Sequence, residues 1–396
     1  MTDWTGQFDA HLTLCPPIDD AVLSQVPAKR GLLLLVGEAD LPLILLTAAD
    51  LRARLRGRLV APADGKPHAR QVDWRQITQK VLWKLTDSHF ETDLHYLAIA
   101  RQIWPDRFAK MLAWRPARFV HVDPSARTPH FAKVNRLMPP PGTCVGPFPS
   151  ARAAQGFVDA IEDAFDLCRD SRRLAQSPRA RPCAYRQMGR CLGVCEGAID
   201  MDTYRAAVAR AAAFAAGDCQ PFLRELESSM KQAAAELRFE AAAATKTRLD
   251  RLHDLDAPAH AHAADGQAFQ FILVQRARRK TAKVFLADRG LIVPADPLAY
   301  PPNADQLSAT VRRMADLVHD ASAPGRYDPW RVALVASYLL AGPQRRGLIV
   351  RWHRDLTPAQ LGSAVEASAE VLGLVRRPRT GNTDDPSPSA GPSTPL

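Results

Sequence analysis

The stretch CRDSRRLAQSPRARPCAYRQMGRCLGVC, residues 168–195, is the segment around which the rest of the sequence is organised. It contains four of the seven cysteines, Cys168, Cys183, Cys191 and Cys195, with 14, 7 and 3 residues between them. Seven arginines and one acid, Asp170, lie between the first and the last cysteine. Four converging thiolates bind a tetrahedral Zn²⁺ ion or an iron–sulfur cluster. The alternative is four unrelated buried cysteines, since free cysteine is common in protein cores.

The composition indicates a protein of two or three domains with a polyanionic partner. The chain has 396 residues, a formal net charge of +10 and a pI near 9.5, which favours nucleic acid as the partner. No apolar run reaches membrane-spanning length, and the start MTDWTGQFDA is too acidic and polar for a signal peptide. Seven cysteines in a chain of this size do not suggest a disulfide framework, so we expect a cytoplasmic protein without membrane contact.

The pattern of apolar residues before the cysteine segment predicts a strand hairpin, a helix, a third strand and a second helix. Residues 31–35 and 41–46 are apolar enough for buried strands, and Asp50 is placed to cap a helix over 51–56. Residues 81–85 form the third predicted strand. Ser88 and Glu91 then have the spacing of a capping box for a helix that ends before Pro105.

This order resembles the N-terminal half of the UvrC excinuclease family and of its shorter relative Cho. The most specific similarity is RPCAYRQMGRCLGVC at 181–195, preceded by GPFPSA at 146–151. Residues 31–55 and 86–108 are similar to the two conserved stretches of the family's GIY-YIG nuclease domain. The resemblance implies that the four cysteines hold a [4Fe-4S] cluster, with Zn²⁺ as the alternative that the spacing leaves open.

The catalytic positions of the GIY-YIG pattern carry other residues here. They fall on Leu33, Ile44, Thr47, Tyr96 and Phe108, and only the helix arginine is retained, as Arg54. Cleavage of this kind needs a carboxylate-bound metal, a general base and cations for the developing charge. We therefore predict a degenerate domain without catalytic residues. Substitute metal ligands are the alternative, and the candidates are Asp87, Glu91 and Asp93.

Residues 220–252 are similar to the UVR motif, a helical hairpin that pairs with the UvrB helicase in the family. Apolar residues recur at three- and four-residue spacing through two consecutive helices. The motif's final Arg-Asp pair falls on Lys246 and Thr247, so its acid is missing. The alternative is an alanine-rich helix pair that packs only within the chain.

We predict an α+β fold in which the last part resembles the start of the family's RNase-H-like domain but is too short to complete it. The predicted segments are a lead-in (1–28), a degenerate GIY-YIG-like domain (29–140), a helical Cys-cluster domain (141–218), the UVR-like hairpin (219–256), a truncated RNase-H-like α+β module (266–375) and a disordered tail (376–396).

The sequence favours a DNA-binding protein of nucleotide excision repair that lacks GIY-YIG nuclease chemistry. The predicted phosphate contacts are Arg52, Arg54, Arg179, Arg181, Arg186 and Arg190. Two alternatives stay open: a metal-dependent incision nuclease with substitute ligands, and an iron–sulfur regulator that binds a UvrB-like helicase through residues 220–252. Whether the chain is an enzyme is therefore undecided at this stage.

Overall fold

The computed structural model describes residues 4–15, 18, 20–59, 73–253, 255, 260–277, 280–320 and 325–375. Helices combine with three antiparallel sheets, so the predicted α+β class is confirmed. Within these ranges no helix has both the length and the apolar character needed to cross a membrane. The predicted disordered tail, 376–396, lies outside the described residues.

The first sheet has the strand order β1-β4-β2-β3. Its strands are β1 (Ala10–Thr13), β2 (Gly31–Val36), β3 (Pro42–Ala48) and β4 (Lys80–Leu85). The helices are α1 (Asp20–Ser24), α2 (Leu51–Leu59), α3 (Trp74–Ile77), α4 (His89–Ile103) and α5 (Phe108–Met111). Alternate side chains of β2 enter two different cores, since Leu33 packs with α2 and Leu34 packs on the α4 side. The sequence did not predict β1, which is largely exposed and carries no apolar run.

The second sheet has the order β6-β5-β7-β8 and joins distant parts of the chain. Its strands are β5 (Arg118–Val122), β6 (Ala132–Val134), β7 (Thr143–Phe148) and β8 (Ala264–Asp265). Four helices accompany it: α6 (Ala151–Ala164), α7 (Ser171–Leu174), α8 (Ala184–Gln187) and α9 (Met201–Ala216). The sheet crosses the predicted boundary at residue 140, because β5 and β6 pair next to β7.

The predicted helical hairpin is present as α10 (Gln220–Ala235) and α11 (Phe239–His253). Leu226, Leu249 and Leu252 are buried in the core of the second sheet and its helices. The tip of the hairpin, where α10 meets α11, is exposed instead: Leu237 and Phe239 are 72% and 66% exposed. The chain then returns to the second sheet as β8.

The third sheet has the order β11-β10-β9-β12, and every pairing in it is antiparallel. Its strands are β9 (Gln270–Arg276), β10 (Thr281–Asp288), β11 (Leu291–Ala299) and β12 (Leu348–Arg351). The helices are α12 (Ala304–His319), α13 (Pro329–Leu339), α14 (Pro343–Arg346) and α15 (Pro358–Ala367). Helices α12 and α15 cover one face of this sheet. The other face packs with α13 against the first domain, which consists of the first sheet and its helices.

Helix α4 connects the first domain to this C-terminal module. Phe90 of α4 lies between Phe285 and Tyr338, with ring centroids 5.1 Å apart in both pairs. Such tilted and edge-on pairs stabilise a packed interface beyond the area they bury. The two parts therefore share a core, which the predicted division into separate segments did not include.

Candidate functional site

Helix α6 and the turn after it place Cys168, the first cysteine of the segment, in the protein core. Ser150 caps this helix by accepting a hydrogen bond from the Ala153 N–H at 3.1 Å. Beyond its last turn the chain reverses at Asp166, whose φ is +50°. Cys168 follows, and its backbone N–H donates to the Tyr204 hydroxyl at 3.2 Å. The fully buried Tyr204 ring belongs to α9, so two helices fix the position of Cys168.

The later three cysteines lie in short turns that return towards Cys168. Cys183 is the N-cap residue of α8, and Gly193 and Gly197 flank the turn that contains Cys195. Both glycines have positive φ, 77° and 84°, a conformation that is costly for other residues. Cys191 and Cys195 are 4% and 1% exposed, whereas Cys183 is half-buried.

The thiols form one electrostatically connected group. Cys168 and Cys191 share a hydrogen bond, which raises the pKa of Cys168 and lowers the pKa of Cys191. The nearby guanidinium groups of Arg169 and Arg186 also lower the pKa of Cys191. Burial raises the pKa of Cys195, and so do Cys191 and Cys183. The hydrogen bond from Cys168 and the positive charges of Arg169 and Arg186 therefore favour the thiolate form of Cys191.

The cysteine segment fits a thiolate-bound group in its donor chemistry. Four sulfur donors act on one another within it, and arginines supply the compensating positive charge. In the described part of the chain, no three metal-ligating side chains are already arranged to hold a metal ion. The fit therefore rests on the identity and proximity of the donors and not on a preformed ligand geometry.

Three of the six predicted phosphate-binding arginines have partners within the protein. Arg52 donates to the carbonyl oxygens of Val26 at 2.9 Å and Ser24 at 2.8 Å, which ties α2 to the preceding turn. Arg186 forms an ion pair with Glu196. Arg190 pairs with Asp163 at 2.8 Å.

The other three predicted arginines, Arg54, Arg179 and Arg181, have exposed side chains. They lie on α2 and in the loop between the first two cluster cysteines. An exposed guanidinium can approach a phosphate without giving up an internal hydrogen bond. The six predicted residues are thus divided equally between internal contacts and surface positions.

The structure does not bring the mapped GIY-YIG positions together. Leu33 and Ile44 point into the core on the α2 side of the first sheet. Tyr96 and Phe108 belong to the core on the opposite side, and Thr47 is exposed. Positions on both faces of one sheet cannot form a single pocket.

Two of the carboxylates considered as substitute metal ligands form ion pairs with a lysine of the C-terminal module. Lys283 Nζ lies 2.5 Å from Glu91 and 3.0 Å from Asp87. The Glu91 N–H donates to the Ser88 hydroxyl oxygen, which is the serine half of the predicted capping box, whereas the Glu91 carboxylate accepts from the Asp87 N–H at 2.7 Å, one residue before the cap. These contacts account for the two acids without a metal.

Asp93, the third carboxylate considered as a substitute ligand, also contacts polar residues of the C-terminal module. It accepts from the Tyr338 hydroxyl at 2.7 Å and lies 3.3 Å from Arg345. Arg101, two turns further along α4, pairs with Asp328. The polar side of α4 therefore serves as an interface.

Asp163 and Asp166 are site residues that the sequence patterns did not reveal. Asp163 pairs with Arg169, Arg190 and Arg251, and Asp166 pairs with Arg248. The two acids join the cysteine segment to α11 of the hairpin. Both acids come shortly before the first cysteine, which a sequence search could have used, although their partners on α11 are more than 80 residues away.

Comparison with known proteins places the cysteine segment in a recognised family region. Residues 119–214 match the family described as "UvrC/Cho excinuclease, middle domain". The chain is 29% identical over 265 residues to UvrABC system protein C of Caulobacter vibrioides, which covers 64% of this chain and 40% of that protein. Over 112 residues it is 38% identical to the Dechloromonas aromatica protein of the same name, or 28% of this chain and 18% of that protein.

A third relative, UvrABC system protein C of Nitrobacter winogradskyi, is 40% identical over 112 residues, which are 28% of this chain and 16% of that protein. The chain spans about two fifths or less of the length of the curated relatives it matches. No solved structure matches.

Proposed function

We propose that this UvrC-like chain, whose residues 119–214 match the UvrC/Cho middle-domain family, is a DNA-binding protein of nucleotide excision repair that lacks GIY-YIG cleavage. The observation that carries the proposal is that the middle-domain match contains the whole cysteine segment, with Arg179 and Arg181 exposed on its surface. Together with Arg54 they supply the phosphate contacts. Arg186 and Arg190 keep the segment folded through their acidic partners.

The absence of cleavage follows from the residues at the mapped catalytic positions. Leu33, Ile44 and Phe108 cannot bind a divalent metal or accept a proton, and burial raises the pKa of Tyr96. The acids considered as substitute ligands form ion pairs with Lys283 and Arg345, and Asp93 also accepts a hydrogen bond from the Tyr338 hydroxyl. Arg54 binds a phosphate but supplies neither the Lewis acid nor the base of hydrolysis.

We propose that Cys168, Cys183, Cys191 and Cys195 hold a [4Fe-4S] cluster, with Zn²⁺ as the alternative. When bound, either group would cross-link four positions of the segment, and an iron–sulfur cluster would also supply a redox-active centre. The residues of the chain have their own tasks. Arg169 and Arg186 favour thiolate over thiol at Cys191, and Asp170 caps α7 through the N–H groups of Arg172 and Arg173.

The hairpin α10–α11 is the proposed docking element for a UvrB-like helicase. Its base is held by Leu226 and Leu249, whereas Leu237 and Phe239 at the other end leave large apolar surfaces in solvent. Exposed aromatic and aliphatic anchors are the usual centres of protein interfaces.

The test of the central proposal is a DNA-binding and nicking assay on one anaerobically purified sample with iron and sulfide measured. We expect binding to duplex DNA without Mg²⁺- or Mn²⁺-dependent nicking. Substituting Arg54, Arg179 and Arg181 by Ala reduces the slope of log K against log salt by about 3. The matched control substitutes Arg224, Arg312 and Arg313, exposed arginines outside the predicted set. An equal slope in both variants contradicts the proposal.

The competing enzymatic function has its own outcome in the same assay. Nicking that depends on a divalent metal and is lost on Glu91→Ala would establish substitute ligands. The ion pairs of Glu91 with Lys283 argue against it, because metal binding would have to break them. The regulatory alternative requires binding to a UvrB-like helicase without binding to DNA.

A further inference from the structure

Arg351, at the end of β12, carries a charge that no described acid neutralises. Its guanidinium carbon lies 5.3 Å from the centre of the Phe271 ring, and Nη2 donates to the His262 carbonyl oxygen at 3.4 Å. Burial alone lowers its pKa, and no carboxylate of the described residues offsets that effect. A half-buried cation without a counterion is costly for a protein to maintain, and an external anion removes part of that cost.

Arg346 adds a second charge beside it. This residue ends α14, and its carbonyl oxygen accepts from Gln275 Nε2 at 2.9 Å, which fixes the backbone next to β9. After burial, Arg346 and Arg351 are the two causes that lower the pKa of His262. Both guanidinium groups therefore act on the same imidazole, next to β12, which is the last strand in the order of the third sheet.

The positive charge continues across the boundary to the first domain. Arg345 is half exposed, and its guanidinium carbon lies 5.0 Å from the Tyr338 ring centre. Arg30 Nη1 lies 3.1 Å from His89 Nδ1, and Arg30 and Arg345 both lower the pKa of His89. Asp93 is the acid that faces this group, and it is shared with the Tyr338 hydroxyl.

We propose that these four residues, Arg30, Arg345, Arg346 and Arg351, form a basic seam that binds the phosphate backbone of DNA across the joint between the first domain and the C-terminal module. The proposal rests on the DNA-binding function proposed above and adds a second contact surface outside the cysteine segment. Arg345 and Arg351 are held against aromatic rings, so less side-chain entropy is lost when they bind an anion. Guanidinium groups from both domains suit an extended polyanion, because each can bind a phosphate as a two-pronged donor.

The experiment compares the salt dependence of duplex DNA binding in the full chain and in Arg346→Ala/Arg351→Ala. We expect the slope of log K against log salt to fall by about 2 and the affinity at low salt to fall at least about tenfold. The control is Arg312→Ala/Arg313→Ala on α12, which packs on β11 and β10 at the other edge of the sheet and keeps the wild-type slope. Arg351→Lys preserves the charge and retains most of the slope.

The outcomes separate this inference from the function on which it rests. If the wild-type chain binds DNA and the double variant keeps the same slope and affinity, the basic seam is excluded and the proposed function stands. If the wild-type chain does not bind DNA, both fail. Polyglutamate that displaces DNA from the wild type at equal charge concentration would overturn the assignment to nucleic acid. Should the double variant melt at a lower temperature, Arg346→Ala alone tests the seam with an expected slope change of about 1.

Discussion

At the scale of single residues, the same residue type has different tasks at neighbouring positions of the sequence. Arg52 and Arg54 are two residues apart on α2, yet Arg52 is tied to two backbone carbonyl oxygens and Arg54 is exposed. Sequence spacing indicated a basic helix correctly but could not separate the two roles. The carbonyl acceptors lie 26 and 28 residues earlier, and only the folded chain brings them to Arg52.

Replacement of Cys191 tests the thiolate centre at a single residue. Cys191→Ser removes the thiol that shares a hydrogen bond with Cys168. We expect iron and sulfide content to fall by at least half and the melting temperature to fall by about 5 °C or more, because a cross-link of the folded state is lost. Cys15→Ser is the control, since Cys15 is exposed and lies outside the segment. Unchanged iron and stability in Cys191→Ser contradict the cluster proposal.

His95 predicts a pH dependence of stability. Burial and the nearby Lys84 lower the pKa of this imidazole, so the folded chain binds the proton less readily than the unfolded chain. The contribution of neutral His95 is therefore present above about pH 6.5 and is lost as the pH falls below it. We expect the wild type to lose about 1 kcal/mol more unfolding free energy than His95→Gln between pH 7.5 and pH 5. Urea unfolding at both pH values measures this, and parallel losses contradict it.

At the scale of elements, local signals located helices well and long-range pairing poorly. Ser88 and Ser150 cap α4 and α6 as their spacing predicts, because a cap contacts the chain only three residues away. The three strands predicted in the first domain are present as β2, β3 and β4. In contrast, β8 has two residues and exists only because β7 lies beside it, and no local pattern could show that.

The hairpin α10–α11 carries the prediction at this scale. Leu237→Asp/Phe239→Ser removes the exposed apolar anchors at its tip. We expect affinity for a UvrB-like helicase to fall by about 30-fold or more, as for interface anchors in general, with helix content unchanged. The control is Glu227→Ala on the exposed side of α10. Isothermal titration measures both variants, and equal affinities would exclude the tip as the contact.

At the scale of the whole molecule, the C-terminal module is fixed to the first domain by both a shared core and a set of ion pairs. The sequence indicated the strands and helices of this module but placed them in a separate segment. The physical reason is that Asp87, Glu91 and Asp93 lie about 190 to 250 residues before Lys283 and Arg345. Pairs at that separation leave no periodic signal in a single sequence.

Lys283→Ala tests this interface. Glu91 and Asp87 lose their cation while they remain largely buried, and we expect the free energy of unfolding to fall by about 1–2 kcal/mol. Burial lowers the pKa of Lys283, but the two carboxylates together raise it by more than burial lowers it. Its pKa in the folded chain therefore exceeds the unfolded value. Its contribution is therefore full below the unfolded pKa and is lost at more alkaline pH.

Chemical denaturation of Lys283→Ala is compared with Lys246→Ala, an exposed lysine on α11. We expect the Lys246 variant to unfold at the wild-type denaturant concentration. If the two variants are equally stable, the ion pairs of Lys283 do not hold the module in place.

The return of the chain from the hairpin into β8 has a mechanical consequence. At its base, opposite the exposed tip, both helices of the hairpin pack into the core of the second sheet and its helices, so the hairpin is held at two points. Helix α10 is about 24 Å long, because each of its 16 residues advances the helix by about 1.5 Å. A partner bound at Leu237 and Phe239 would therefore act on the cysteine segment through the ion pairs of Arg248 and Arg251 with the two acids that precede Cys168.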